Sequence, residues 1–218
     1  MPFSLPRFYP ILDADRLAQL GLDALTAASE MLEGGARILQ FRHKQHYSRS
    51  VIETMQSLAH LCQQARVPFV VNDRADLAAL FGAVLHLGQD DLPPAAARRV
   101  AGPDTIIGFS THNELQLREA LKQPVNYLAL GPIFGTSSKQ NPDPVVGLAE
   151  LRRLRPLSQL PLAAIGGITR ENAGYALAAG ADSVAVIGDV LPPDRRIRQR
   201  VEDWIQATRQ PDAIIGSG

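Results

Sequence analysis

The chain has 218 residues, 45% of them hydrophobic and 20% charged, which supplies one sizeable core and excludes a disordered polymer. Lys plus Arg and Asp plus Glu each number 22, for a formal net charge of +0, so no long-range field draws the molecule to nucleic acid or anionic lipid and any anion has to be held locally. The single cysteine, Cys62, closes no internal disulfide and suits a reducing cytoplasm, while the prolines at 2, 6 and 10 and the lack of any run near ~20 apolar residues argue against secretion and membrane insertion.

In chain order, short apolar runs read as strands at 8–12, 38–41, 68–71, 84–87, 106–109, 127–130, 161–165 and 183–187. Between them, helical spacing marks 22–32, 48–64, 114–121, 149–154, 172–179 and 195–208. Ser48, Asn113 and Thr169 are candidate N-caps, and Gly34, Gly35 and Gly180 candidate stops. No Gly/Ser-rich or charged linker divides the chain, so residues 1–218 are expected to form one domain, its barrel covering about 8–208 and a short tail 209–218.

Near-continuous hydrophobic strands are buried on both faces, as a parallel sheet wrapped in helices requires. An open doubly wound sheet would carry GxGxxG after the first strand, where Ile11-Leu12-Asp13-Ala14-Asp15 stands instead. The α/β pattern therefore predicts a single (β/α)8 TIM barrel, whose functional face lies at the carboxyl ends of the strands.

Polar residues gather at those ends. The second strand runs into Gln40-Phe41-Arg42-His43-Lys44, and an Arg fork beside a Lys point charge suits a phosphate-rich ligand, although an isolated RxK is also a common solvated turn. The third strand ends in Asn72-Asp73-Arg74 and the fourth in His86-Leu87-Gly88-Gln89-Asp90-Asp91. Carboxylates from adjacent strands, about 4.8 Å apart, fit a hard cation such as Mg²⁺ held by Asp73, Asp91 and a diphosphate. Asp73 capping a helix near Arg74, and Asp91 one at Leu92-Pro93-Pro94, are the competing roles. No CxxC or HExxH is present, and His86 on its apolar strand reads as a core residue.

The fifth strand ends in Gly108-Phe109-Ser110-Thr111-His112. The sixth leads through Gly131-Pro132-Ile133-Phe134 into a polar loop from Gly135 to Pro144 that carries Thr136, Ser137, Ser138 and Lys139, suited to closing over anions. Gly166-Gly167-Ile168-Thr169 and Ile187-Gly188-Asp189 follow strands seven and eight, where bare backbone N–H groups hold phosphate in this fold. One anion site is cationic and metal-assisted, the other backbone-built. Two differently phosphorylated substrates point to group transfer with loss of diphosphate.

From Tyr9 to about Ile205 these residues resemble the thiamine phosphate synthase family. Gln40 to Lys44 is similar to its QLRxK, Val71-Asn72-Asp73 to VND, His86 to Asp91 to HLGQxD, and Gly108 to His112 to GxSxH; Gly131 to Lys139 matches the GPIFxTxTK loop and Ile165 to Ile168 the IGGI turn. The resemblance implies a transferase that joins 4-amino-2-methyl-5-hydroxymethylpyrimidine diphosphate to hydroxyethylthiazole phosphate, giving thiamine phosphate and diphosphate. It implies Gln40, Arg42, Lys44, Asn72, Ser110 and Lys139 at the pyrimidine diphosphate, Thr136, Ser137, Ser138, Gly167, Ile187 and Gly188 at the thiazole phosphate, and Phe41 and His43 among the substrate-binding residues. Asp73 and Asp91 would bind Mg²⁺, and Arg42, Lys44, Ser110 and Lys139 would carry the catalysis. Gly188-Asp189 departs from a family segment that often offers a serine, which removes one hydroxyl and brings a carboxylate near the monophosphate.

The expected chemistry is stabilisation of departing diphosphate, followed by attack of a thiazole nitrogen that has no proton to lose, so no general base is required of His43, His86 or His112. The partners are two small-molecule substrates, with no nucleic acid and no membrane, and a homo-oligomer is compatible with the sequence. A thiazole tautomerase, a sugar-phosphate epimerase and a non-catalytic ligand sensor are the rival readings; each leaves Lys44 and Lys139 idle or lacks a visible partner-binding segment.

Overall fold

The structure, a computed structural model, describes residues 3–135 and 143–209. Among them eight parallel strands close into a barrel in chain order: β1 (Phe8–Asp13), β2 (Leu39–Arg42), β3 (Phe69–Asn72), β4 (Val84–Leu87), β5 (Ile107–Thr111), β6 (Tyr127–Leu130), β7 (Leu162–Ile165) and β8 (Ser183–Val186). The ring closes where β1 pairs with β8, Phe8 opposite Val184. The helices are α1 (Ala14–Leu20), α2 (Ala24–Glu33), α3 (Arg49–Ala65), α4 (Ala75–Phe81), α5 (Pro94–Ala101), α6 (Glu114–Ala120), α7 (Gly147–Leu154), α8 (Ala173–Ala178) and α9 (Ile197–Ala207).

The period of two along each strand divides the core. Tyr9, Ile11, Ile38, Val70, Val84 and Tyr127 fill the barrel interior, while Phe8, Leu12, Leu39, Phe41, Val71 and Leu85 pack outward against the helices. Trp204 of α9 is fully buried and stacks on Phe8 at 5.2 Å, so the last helix is barrel packing, as the sequence indicates. At the interior positions of β6, β7 and β8 the side chains are Ala129, Ala163 and Ala185. These small residues leave room inside one half of the barrel.

Three helices lie outside the spans read from helical spacing: α1, α4 and α5, of seven, seven and eight residues; starts near those of α4 and α5 enter the sequence reading only as the helices that Asp73 and Asp91 would cap. Ser48 and Asn113 do cap α3 and α6. Thr169 does not cap α8, which begins after Asn172; Asn172 instead accepts from the Thr169 N–H at 2.8 Å and folds the turn back on itself. No helix among the described residues is long and apolar enough to cross a membrane.

Candidate active site

At the carboxyl ends of the strands lies a cavity of about 600 Å³. Its wall contains Tyr9 and Ile11 of β1, Gln40 and Arg42 of β2, Asn72 of β3, His86 of β4, Ser110 of β5, Ala129 of β6, Ile165 of β7 and Ala185 of β8. Strand alternation explains the set. Gln40, Arg42 and, beyond the strand, Lys44 line the cavity, whereas Phe41 and His43 do not. Phe41 belongs to the layer under the helices, and the His43 ring lies parallel to it at 6.3 Å and edge-on to Tyr47 at 5.0 Å. Phe41 and His43, expected among the substrate-binding residues, thus lie outside the cavity lining.

Asp73 resolves its competing roles. It leaves β3 in the left-handed conformation, φ +66, a backbone state that Asp tolerates better than most residues. Helix α4 starts at Arg74 with no side-chain cap, so Asp73 is not a cap. Its carboxylate takes an ion pair from Lys44 and lies within hydrogen-bonding reach of Asp91. Burial, then Asp91, push the Asp73 carboxyl up to about 6 against the pull of Lys44. Asp91 accepts from the Gly88 N–H at 2.7 Å, closing its own turn, and α5 likewise has no side-chain cap.

Across the barrel floor runs a chain of polar groups. Gln40 Nε2 donates to the Tyr9 hydroxyl at 2.7 Å, the Tyr9 and Tyr127 hydroxyls are 3.1 Å apart, Tyr127 meets His86 Nδ1 at 2.9 Å, and His86 Nε2 meets Ser110 Oγ at 2.9 Å. Burial holds both phenols well above their usual range and lowers His86 to about 4, so the imidazole is neutral near pH 7. Gln89 donates to the Ser110 carbonyl at 2.6 Å. Buried Nδ2 of Asn72 finds no partner among the described residues, a donor available to a ligand acceptor in the cavity that Asn72 lines.

Gly166 and Gly167, at φ +94 and +62, face the exit of β6 so closely that a β-carbon would meet Pro132 at 2.5 Å and the Gly135 carbonyl at 2.3 Å. The glycines are therefore required by packing, and the backbone of Ile133 and Phe134 donates to Ile165 and Gly166 at 2.8 and 3.0 Å. Gly167, Ile187 and Gly188 still line the cavity. The Asp189 carboxylate accepts from Arg200 Nη1 at 2.5 Å and Arg170 Nε at 3.2 Å. Its charge next to the glycines is thus shielded by two guanidinium groups, one from α9 and one from the loop after β7.

Thr136, Ser137, Ser138 and Lys139 lie outside the described residues. On the near side of that segment His112 donates to the Gly131 carbonyl at 2.6 Å, and its Nε2 is 3.6 Å from the Asp143 carboxylate. Sequence reasoning missed Asp13, which pairs with Arg42, and the Tyr9–Tyr127 pair. Asp13 becomes visible only when strand register is known, because it is opposite Arg42, and the tyrosine pair only when the barrel closes, because the two hydroxyls meet across its interior.

The arrangement sets fixed cations, paired carboxylates and an unpaired amide at one end of a cavity and a glycine-rich turn at the other. Comparison with known proteins agrees with it. A thiamine-phosphate synthase from Koribacter versatilis is 49% identical, covering 93% of this chain and 95% of that protein, and one from Laribacter hongkongensis is 41% identical over 84% and 86%. The thiamine phosphate pyrophosphorylase of Pyrococcus furiosus superposes with a TM-score of 0.82 at 32% identity, over 93% of this chain and 95% of that one. The family model described as thiamine monophosphate synthase matches residues 8–190, and the chain belongs to that family.

Proposed function

We propose that the cavity is where this chain performs its family's reaction, coupling 4-amino-2-methyl-5-hydroxymethylpyrimidine diphosphate to hydroxyethylthiazole phosphate with release of diphosphate. The chain is a transferase of thiamine biosynthesis. The bond from the pyrimidine methylene carbon to diphosphate breaks, and a bond from that carbon to the thiazole nitrogen forms. The nitrogen brings its own electron pair and no proton has to leave, so the residues need only bind, orient and hold charge.

Arg42 and Lys44 take the diphosphate, joined by Lys139; Asn72 and Gln40 orient the pyrimidine, and Ser110 presents its hydroxyl at the ring. Thr136, Ser137, Ser138, Gly167, Ile187 and Gly188 take the thiazole phosphate. Supporting this division, Arg42, Lys44, Asp73 and Asp91 come from the exits of β2 to β4, and Gly167, Ile187 and Gly188 from the exits of β7 and β8, across the closed barrel. Arg42, Lys44, Ser110 and Lys139 are the catalytic group, acting by preorganised charge and hydrogen bonding.

Asp73 and Asp91 fit Mg²⁺. Burial first and the neighbouring Asp91 second push the Asp73 carboxyl upward, and the Lys44 ammonium pairs with the Asp73 carboxylate where a cation would sit. Among the described residues no group of three or more His, Cys, Asp and Glu forms, so the donor set is two carboxylates completed by ligand oxygens and water, the usual mode for magnesium. The chemistry that a bound ion supplies is neutralisation of charge on the diphosphate oxygens.

The chain acts as one domain, 1–218, with the barrel over 8–208 and a tail at 209–218. Its setting is the cytoplasm and its partners are small molecules, with no nucleic acid and no membrane; the balanced charge and the single, buried Cys62 support this. The observation that carries the functional reading is the convergence of Arg42, Lys44, Asp73 and Asp91 on one cavity. Diphosphate release from Asp91→Ala and Lys139→Ala with saturating Mg²⁺ tests it. Each should lose on the order of 10²-fold or more in kcat, and near-parental rates in both would reject the scheme.

A further inference from the structure

We propose that Asp13 is a positioning residue for Arg42, fixing the guanidinium that receives the diphosphate. The proposal rests on the reading of Arg42 given above. Asp13 ends β1 and Arg42 ends β2, and the two are register partners. The Asp13 carboxylate is held from both sides. Oδ1 accepts the Arg16 N–H at 3.0 Å, capping α1, and Oδ2 takes the ion pair from Arg42 Nη1.

Asp13 is 6% exposed and does not line the cavity, whereas Arg42 does, so Asp13 acts through Arg42. The cap fixes the carboxylate plane, and the carboxylate in turn fixes one end of a side chain that otherwise has several rotatable bonds. Among the described residues Nη1 is the engaged nitrogen; a guanidinium has five N–H donors in a fixed fork, so others can face ligand oxygens. The tether also sets a choice. Asp73 and Asp91 line the same cavity, and an untethered guanidinium is drawn to them, away from the diphosphate and onto the oxygens that serve the metal. Holding Arg42 on a third, buried carboxylate keeps both groups in place before substrate arrives, which removes an ordering cost from binding.

The test is a double-mutant cycle of Asp13→Asn, Arg42→Gln and the pair, read by steady-state kinetics and by calorimetric binding of inorganic diphosphate with Mg²⁺. Asparagine caps a helix about as well as aspartate, so Asp13→Asn separates the charge from the cap, and the melting temperature should stay within about 3 °C. Its kcat/KM for the pyrimidine diphosphate should fall about 10- to 100-fold and diphosphate binding should weaken in parallel, while KM for the thiazole phosphate stays within about twofold of the parent. In the Arg42→Gln background the second substitution should cost nothing further.

Near-parental kinetics in Asp13→Asn, or losses that multiply in the double variant, would overturn the inference. A fall of more than about 10 °C in Asp13→Asn would overturn it too, because the residue would then be structural. Parental kinetics in Arg42→Gln would instead overturn the assignment of Arg42 to the diphosphate.

Discussion

A β-carbon on Gly108 would sit 2.0 Å from Cζ of Tyr127 and 2.4 Å from both neighbouring ring carbons. The two residues are opposite each other on β5 and β6, so the missing side chain of one is the space occupied by the ring of the other. The ring is fully buried and holds the hydroxyl that joins Tyr9 to His86. Gly108→Ala should therefore destabilise the fold by roughly 1–3 kcal/mol or more, the usual cost of overpacking a tight interior. Urea unfolding checks this, and parental stability would show that the ring has a second seat.

Lys44 is paired with Asp73, where it would compete with a cation for the same oxygens. Lys44→Gln should bind Mg²⁺ more tightly than the parent when no substrate is present, by about tenfold, although its turnover falls. Calorimetry of Mg²⁺ alone reads the affinity. Weaker or unchanged binding would mean that the lysine and the metal do not share oxygens.

His86 links stability to pH. Its unfolded value is near 6.5 and its folded value about 4, lowered by burial and by Lys44 and raised in part by Asp91. Below pH 6.5 the unfolded chain takes a proton that the folded chain refuses, so stability is complete above about 6.5 and is lost as pH falls toward 4. The loss is on the order of 3 kcal/mol. His86→Gln should flatten this part of the urea-derived stability profile between pH 7 and 4.5; parallel profiles would assign the dependence to other groups.

Asp189 needs both of its arginines. With Arg170 and Arg200 replaced by alanine, an unshielded carboxylate would stand beside the glycines proposed to take the thiazole phosphate, and KM for that substrate should rise about tenfold while KM for the pyrimidine diphosphate holds. Adding Asp189→Asn should recover most of the loss. A triple variant as weak as the double would place the arginines in direct contact with phosphate.

The strands were legible because each is a nearly unbroken apolar run, and their polar ends named the mouth. The same alternation that puts Gln40, Arg42 and Lys44 on one side also puts Phe41 and His43 on the other; that signal was present, and a contiguous motif obscured it. Asp73 could not be separated from a helix cap in sequence, because its orientation depends on a left-handed φ that only the folded turn reveals. Asp13 was invisible for another reason. Its partner is 29 residues away, and only the pairing of β1 with β2 brings them together.

The buried wire from Gln40 to Ser110 has a sense of travel. An amide nitrogen can only give, so Tyr9 receives from Gln40; with Tyr9 giving its own hydrogen to Tyr127, Tyr127 gives its hydrogen to Nδ1 of His86. The neutral ring then carries its proton on Nε2 and hands it to Ser110. What is left over differs at the two ends: a carbonyl oxygen on Gln40 that receives, and a hydroxyl hydrogen on Ser110 that gives. With that sense of travel the floor of the barrel presents an acceptor at one end and a donor at the other, and a flat ring with matching groups on two edges would meet both in one orientation only.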